Sequence, residues 1–216
     1  MQNPHVYALS NNSLLLDASH LSTSGTLSIQ KKIWSLANHC KKDNSFIDIV
    51  PAMNSLTLYL KQDIELAKWL EQLPAIWNNI KPNEFVAKHH KIKTHYNGAD
   101  LNYVANFHSL SIDDVINLHS EPQYAVLFLG FQPGFAYLNG LNKQLFTPRR
   151  SEPRVNVPKG SVAIGADQTA IYPADSPGGW HIIGQTDIPL FDATQKSPCL
   201  IQPGDTLEFI PVSVGK

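Results

Sequence analysis

Beyond residue 123 the chain consists of short apolar segments separated by turns, and this feature restricts the fold more than any other. Five of these segments are predicted as strands: Tyr124–Phe128, Ser161–Ile164, Thr169–Tyr172, His181–Gly184 and Leu207–Val212. Turns rich in proline and glycine lie between them, such as Pro158-Lys159-Gly160, Pro177-Gly178-Gly179 and Pro203-Gly204-Asp205. Many short strands joined by turns of this kind are typical of a small closed β-barrel.

Residues 1–82 are predicted to form a separate domain in which strand pairs alternate with helices. Two strand pairs are predicted, His5–Leu9 with Ser13–Ala18, and Phe46–Val50 with Leu56–Leu60. Apolar residues at helical spacing predict two helices, Leu27–Cys40 and Ile64–Ile80. Pro74 is expected to kink or break the second helix. This alternation of strand pairs and helices indicates an α+β sandwich.

The barrel domain, residues 83–216, is predicted to begin with one strand and two short helices. The strand covers Phe85–His95, and the helices cover Asp100–Phe107 and Ile112–His119. Ser111 and Asp114 have the spacing of a capping box at the start of the second helix. The helix pair resembles a helix-turn-helix, but Asp113 and Asp114 lie where phosphate would approach, which argues against DNA binding.

Charge and hydropathy argue against several classes of partner. Seventeen lysines and arginines against eighteen acidic residues give a net charge of −1, so no strong field attracts nucleic acid or an anionic membrane. Apolar runs such as Val126–Leu129 are far shorter than the roughly 20 residues of a membrane span. The N-terminal residues lack an export signal, and Cys40 and Cys199 form no motif. We therefore expect a cytoplasmic protein that binds neither nucleic acid nor membrane.

All three arginines of the chain, Arg149, Arg150 and Arg154, lie within six positions, whereas lysine carries the other fourteen positive charges. A guanidinium can bind a carboxylate or phosphate through two parallel hydrogen bonds, which a lysine ammonium cannot. The cluster indicates either an anion site formed by Arg149 and Arg154 or loop arginines paired with Glu152 and solvent. Because neighbouring side chains of an extended loop point apart, Arg150 is expected to face water.

The segment from Gly130 to Leu138 places aromatic residues around a Pro-Gly turn. Phe131 and Phe135 could wall a ligand pocket in which Gln132 orients the ligand, or they could belong to the barrel core. The two interpretations are compatible, because the interior of a small barrel is also its deep cavity.

The turn Ser176-Pro177-Gly178-Gly179-Trp180 is interpreted as a loop whose amides could face an anion. A nucleophilic Ser176 activated by His181 is disfavoured, because no carboxylate can be assigned to orient the histidine.

His119 is a candidate for the site, because it ends a predicted helix just before the barrel. Its alternative role is a favourable C-terminal position on that helix. His89 and His95 would be roughly 20 Å apart along a strand, too far to share one ion, so no metal site is predicted.

Four ordered motifs resemble the signature of the 5-oxoprolinase B-subunit family. This family is grouped with Kip-inhibitor and allophanate-hydrolase-subunit-1 proteins and is related to part of the urea carboxylase carboxyltransferase domain. The motifs are Phe128–Phe135, Thr147–Arg154, Gln168–Pro173 and Ser176–Trp180. This chain departs from the usual family pattern at Ala136 and Ala170 and has a shorter segment from His95 to Leu101, for which no ligand role is predicted.

The resemblance implies an α+β domain followed by a cyclophilin-like β-barrel. It also implies ATP-dependent opening of 5-oxo-L-proline to L-glutamate in a complex with C-type and A-type partner subunits of 5-oxoprolinase. ATP would be a co-substrate, no tightly bound cofactor is expected, and the chain alone is expected to be inactive. The alternatives are an inhibitor of a sensor histidine kinase, as in the Kip-type relative, or a subunit of a urea carboxylase or allophanate hydrolase system.

The candidate site residues follow from these motifs together with the patterns above. Arg149, Arg154 and His119 are the candidate catalytic residues. The candidate substrate-binding residues are Phe131, Gln132, Phe135, Gln168, Tyr172, Ser176, Gly178, Gly179 and Trp180.

Overall fold

The computed structural model describes residues 3–24, 26–82 and 87–212. The chain divides into two compact units, residues 1–85 and 86–216. The predicted division after residue 82 adjoins residues 83–86, which lie outside the described part, and it stays a prediction. The first residues of the strand predicted over Phe85–His95 also lie there.

The first unit is a four-stranded antiparallel sheet with two helices packed on one face. Its elements are β1 (His5–Ser10), β2 (Ser13–Asp17), a 3-10 helix (Ser19–Ser24), α1 (Thr26–Cys40), β3 (Phe46–Ala52), β4 (Ser55–Leu60) and α2 (Leu66–Asn79). The strand order is β1-β2-β4-β3. Alternate residues of β2 and β4, such as Leu14 and Leu58, are buried with Ile33 of α1 and Trp69 of α2. This arrangement confirms the predicted α+β sandwich. Helix α2 continues through Pro74, so Pro74 does not break it, and the alternative of a kink stays a prediction.

The second unit is built around a seven-stranded, nearly closed sheet that we call the barrel. Its elements are β5 (His89–Thr94), α3 (Leu101–Phe107), α4 (Ile112–Ser120), β6 (Tyr124–Leu129), β7 (Ala136–Asn139), a 3-10 turn (Lys143–Leu145), β8 (Arg154–Val157), β9 (Ser161–Gly165), β10 (Gln168–Ile171), β11 (Ser176–Gly178), β12 (His181–Gln185) and β13 (Thr206–Pro211). The strand order is β12-β9-β10-β7-β6-β13-β5. Strand β5 pairs with β13 in parallel, and the other neighbours are antiparallel.

Hydrogen bonds between the two ends of the sheet close the barrel, and we call this contact the seam. The backbones of His95 and Gln185 exchange two hydrogen bonds, both 2.8 Å long. Farther along, the Gly98 N–H donates to the Ile183 carbonyl at 3.2 Å. The backbones touch so closely here that a Cβ on Gly98 would lie 2.3 Å from the Ile183 carbonyl carbon. Glycine is therefore required at the seam on steric grounds.

The helices and six strands of the second unit were predicted, but three strands were not. Strand β7 lies in the aromatic segment, and β8 and β11 form a separate two-stranded ribbon. The predicted capping box is confirmed: Ser111 Oγ accepts the Asp114 N–H, and the Asp114 carboxylate accepts the Ser111 N–H, both at 3.0 Å. No helix in the described part of the chain is both long and apolar enough to cross a bilayer.

Candidate functional site

A cavity of about 200 Å³ opens on the barrel unit where all four sequence motifs meet. Five aromatic side chains form most of its wall: Phe131, Phe135, Tyr137, Tyr172 and Trp180. The remaining lining residues are Arg149, Arg150, Pro153, Gly178 and Gly179. We call this the aromatic cavity. The structure thus brings together most of the predicted substrate-binding residues and one predicted catalytic residue, Arg149.

The ring of Phe135 organises the aromatic wall. Its ring centroid lies 5.0 Å from that of Tyr137, 5.2 Å from that of Tyr172 and 5.7 Å from that of Trp180, each in edge-to-face geometry. Phe135 is buried, whereas Phe131 is 61% exposed and stands at the rim. Pairs of this geometry are favourable beyond the area that they bury. The wall therefore belongs to the core and also lines the cavity, and its role in ligand binding stays a prediction.

Two glycines allow the rings to lie directly on the backbone. A Cβ on Gly178 would lie 2.4 Å from the Tyr172 hydroxyl oxygen, and one on Gly165 would lie 2.5 Å from the Trp180 ring. The predicted function of Gly178, an amide facing an anion, stays untested. The structure gives it a steric function instead, because any side chain there would displace the ring of Tyr172.

Arg149 is the exposed cation of the aromatic cavity. Its guanidinium carbon lies 5.6 Å from the centroid of the Trp180 ring, in cation–π geometry. Among the described residues, no carboxylate forms an ion pair with it. Burial raises the pKa of both Tyr137 and Tyr172, and the nearby charge of Arg149 offsets this rise only in part. Both hydroxyls therefore stay protonated at neutral pH and can donate hydrogen bonds.

Arg150 and Arg154, in contrast, are both bound to Asp100, a buried carboxylate beside the start of α3. Arg154 donates to its two oxygens at 2.8 and 2.7 Å, and Arg150 donates at 3.1 Å. The prediction that Arg150 faces water is therefore wrong. Arg154 was predicted to share an anion with Arg149, but its guanidinium is already occupied by Asp100, so it does not stand free in the structure.

The pKa of Asp100 reflects this pairing. Burial by itself would raise the pKa of this carboxyl. Hydrogen bonds from Arg154 and from the Ile182 N–H, together with the charges of Arg154 and Arg150, outweigh burial and hold the pKa below its usual value. Asp100 is thus a charged group of the folded protein. Sequence reasoning missed it, because it precedes the arginines by about fifty positions and belongs to no motif.

His119, the third candidate catalytic residue, lies in the barrel core and not among the residues that line the aromatic cavity. Its Nδ1 is 2.8 Å from the Tyr96 hydroxyl and its Nε2 is 2.9 Å from Thr169 Oγ1. Complete burial lowers the pKa of His119 to about 3. The ring is therefore neutral at physiological pH, with both nitrogens hydrogen-bonded. The structure therefore supports a structural role for His119 in the last turn of α4.

The burial of His119 predicts that acidification destabilises the folded protein. Because the pKa of His119 is lower in the folded state than in the unfolded state, unfolding takes up a proton once the pH falls below about 6.5. Its contribution to stability is complete above that pH and is lost on acidification toward pH 3, by at most about 1.4 kcal/mol per pH unit.

Urea unfolding at pH 7 and pH 5 checks this prediction. His119→Gln is the matched variant, since it keeps hydrogen-bonding groups but does not titrate. Burial also lowers the pKa values of His108 and His181, so the wild type minus variant difference isolates His119. The wild type should lose more stability than the variant between the two pH values, and equal losses would contradict the prediction.

The remaining candidates lie outside the lining of the cavity. Gln132 donates from its side chain to the Ala174 carbonyl at 3.4 Å, and Gln168 is buried in β10. Ser176 Oγ and His181 Nδ1 are both buried without a hydrogen-bond partner among the residues that the structure describes. They do not bond to one another, which agrees with the disfavoured serine nucleophile. Tyr137, Arg150 and Pro153, which line the cavity, were not among the candidates.

Within the described ranges, no cluster of three or more histidine, cysteine, aspartate or glutamate side chains could hold a metal ion. His90 binds Asp205 at 2.9 Å, and His89 contacts Thr206 Oγ1 at 3.0 Å. These histidines therefore take part in local pairing along β5 and β13.

Comparisons with known proteins agree with this architecture. The family model "Carboxyltransferase domain, subdomain C and D" matches residues 4–201. A protein of Escherichia coli O157:H7 named as the B subunit of 5-oxoprolinase is 41% identical, over 100% of this chain and 99% of that protein. The crystal structure of TTHA0988 is 29% identical with a TM-score of 0.80. The match covers 98% of this chain and 41% of that one, so this chain spans about two fifths of its length.

The crystal structure of Kluyveromyces lactis urea carboxylase superimposes with a TM-score of 0.80 at 19% identity, covering 97% of this chain and 22% of that one. At this identity the likeness concerns the fold alone. It is the cyclophilin-like fold of carboxyltransferase domains, which confirms the predicted α+β class with its barrel.

Proposed function

The chain belongs to the 5-oxoprolinase B-subunit family, and from this premise we propose that it is the B subunit of a complex that opens 5-oxo-L-proline to L-glutamate with hydrolysis of ATP. The relative's name designates one subunit of an enzyme with several, so a role in a hydrolase complex follows for the family. The C and A subunits of 5-oxoprolinase are the proposed partners, and ATP is the proposed co-substrate.

The guanidinium of Arg149, which has no ion pair among the described residues, carries the proposal. 5-Oxoproline is a small ring with two apolar faces, a lactam group and one carboxylate. The aromatic rings offer walls for the ring faces, and Arg149 offers two parallel donors for the carboxylate. Since Asp100 occupies Arg150 and Arg154, Arg149 is the arginine that we assign to the substrate.

The size of the cavity supports a small acid over a nucleotide. Cavities for drug-sized ligands usually measure about 300 to 1,000 Å³, whereas the aromatic cavity measures about 200 Å³. We therefore place ATP outside this cavity, on another surface of the complex.

The chemistry assigns a binding role to this chain. A lactam carbonyl is a poor electrophile, and transfer of the terminal phosphoryl group of ATP to its oxygen activates it. ADP leaves, water attacks the carbonyl carbon, the C–N bond breaks and the nitrogen is protonated, which gives γ-glutamyl phosphate. A second water hydrolyses this acyl phosphate to glutamate and phosphate. Such steps depend mainly on positioning and on neutralisation of charge. Arg149 would hold the carboxylate, and the rings would orient the lactam and exclude water from the apolar faces.

Reconstitution tests the proposal. ATP-dependent release of glutamate from 5-oxoproline is measured with the purified chain alone, with the C partner added, and with the C and A partners together. We expect turnover in the complete mixture and none from the chain alone. Turnover by the chain alone would show that the partners are not needed. A complete mixture without turnover would overturn the proposed function and favour the inhibitor of a sensor kinase.

A further inference from the structure

The segment of residues 147–154, which we call the arginine loop, is held at several points outside the aromatic cavity. The backbones of Thr147 and Ala166 exchange hydrogen bonds at 3.1 and 2.8 Å. His181 Nε2 donates to the Pro148 carbonyl at 2.9 Å. The Arg150 N–H donates to the Gly179 carbonyl at 2.8 Å. These contacts fix the backbone path of the loop but not the directions of its arginine side chains.

Asp100 sets the direction of two of those side chains. Its carboxylate accepts four N–H groups: one from Arg150 at 3.1 Å, two from Arg154 at 2.8 and 2.7 Å, and the backbone N–H of Ile182 at 2.7 Å. The Asp100 N–H also donates to the Ile182 carbonyl at 2.8 Å, which ties the carboxylate to strand β12. Asp100 is 4% exposed, so this pairing takes place largely out of water.

The guanidinium groups of Arg149 and Arg150 have different partners. Both residues line the aromatic cavity, but the guanidinium over the Trp180 ring is that of Arg149. The guanidinium of Arg150 is drawn to Asp100 instead. Without the carboxylate, three guanidinium groups on one short loop would repel one another.

We propose that Asp100 is a positioning residue for the aromatic cavity. By binding Arg150 and Arg154, it keeps Arg149 over Trp180 as the one guanidinium of the arginine loop that is left for a ligand. The two arginines and Asp100 carry one net positive charge between them, which adds to that of Arg149 and favours an anionic ligand. The ligand assignment rests on the proposed function, whereas the placement of Arg149 by Asp100 does not.

A spectroscopic experiment tests the placement without any enzymatic activity. The chain has four tryptophans, and Trp180 is the one in the barrel unit, since the others are Trp34, Trp69 and Trp77. In 5-fluorotryptophan-labelled protein, Trp180→Phe assigns the Trp180 fluorine resonance. We expect Asp100→Asn to move that resonance toward its position in Arg149→Ala, because both changes remove the cation from the ring.

Asp205→Asn is the matched control. Asp205 is also a buried carboxylate of the barrel unit, and it accepts the backbone N–H groups of Lys88 and Gln202 and binds His90. It does not line the aromatic cavity. This variant should leave the Trp180 resonance in place. Folded Asp100→Asn with an unchanged Trp180 resonance would overturn the proposal.

A second variant keeps the test decisive if Asp100→Asn does not fold. Arg154→Lys retains the charge but loses the bidentate contact with Asp100. It should move the Trp180 resonance in the same direction, and an unchanged resonance in this variant would also overturn the proposal.

Kinetics of the reconstituted complex separate positioning from a general loss of structure. We expect Asp100→Asn to raise KM for 5-oxoproline about tenfold with kcat changed less than about twofold. In an Arg149→Lys background the same change should have little further effect, because residues that act through one group are not additive. Full additivity would contradict action through Arg149. A wild-type complex without turnover would refute the proposed function but would leave the fluorine result valid.

Discussion

Replacing Arg149 with lysine is expected to lower kcat/KM for 5-oxoproline by roughly 10- to 100-fold in the reconstituted complex. The variant keeps the positive charge but loses the planar fork that binds a carboxylate through two hydrogen bonds. Loss of a charge-assisted contact of this kind costs about 1.5–3 kcal/mol, which corresponds to that range. Steady-state kinetics measure the effect, and size-exclusion chromatography shows that the complex still assembles.

Two controls sharpen this prediction. Lys143→Ala removes an exposed charge of the same unit outside the aromatic cavity, and it should leave kcat/KM unchanged. The second control uses the amide of 5-oxoproline, which lacks the carboxylate. The wild type should have a much higher kcat/KM for 5-oxoproline than for its amide, whereas Arg149→Ala should lose most of this difference. Full activity of Arg149→Lys together with an unaltered preference in Arg149→Ala would rule out a carboxylate contact with Arg149.

The second large effect is expected at the seam of the barrel. Gly98→Ala places a methyl group 2.3 Å from the Ile183 carbonyl carbon and 2.4 Å from the Ile182 carbonyl oxygen. Both atoms belong to the backbone of β12, so relief requires the seam to open. We expect the free energy of unfolding to fall by about 3 kcal/mol, as in severe overpacking. Urea unfolding followed by circular dichroism measures the change.

Gly130→Ala is the matched control for this substitution. The three atoms nearest to its methyl group would belong to the side chains of Phe128 and Tyr137, at ordinary contact distances of 3.5 to 3.6 Å. Its effect on unfolding should be below about 1 kcal/mol. Equal stabilities of the two variants would show that the seam does not constrain the barrel.

Local patterns were sufficient to predict most of the fold. Turn residues mark the ends of β6, β9, β10, β12 and β13, and the capping box at Ser111 marks the start of α4. The ribbon of β8 and β11 was not predicted, because both strands are short and their pairing, such as Ser176 with Val157, depends on tertiary contact. Strand β7 was not predicted, because the alternation of its side chains is obscured by neighbouring aromatic residues that belong to both the core and the wall of the cavity.

The sequence located the aromatic cavity but not the separate roles of the three arginines. Segregation of the arginines predicted an anion site, which stays a prediction, and Arg149 does line the aromatic cavity. Which arginine stays free depends on Asp100, and no local pattern connects residues so far apart in the chain. The position of His119 at a helix end was equally compatible with a pocket or the core, and only packing against Tyr124 and Phe209 decides between them.

The parallel pairing of β5 with β13 has a consequence for synthesis on the ribosome. Residues of β13 pair with both β5 and β6, and Leu207 and Phe209 supply buried core from this last strand. The sheet therefore cannot be completed until residues 206–211 have emerged, more than one hundred positions after β5. Until then the nascent barrel exposes apolar strand faces, and exposed apolar surface of this kind favours aggregation.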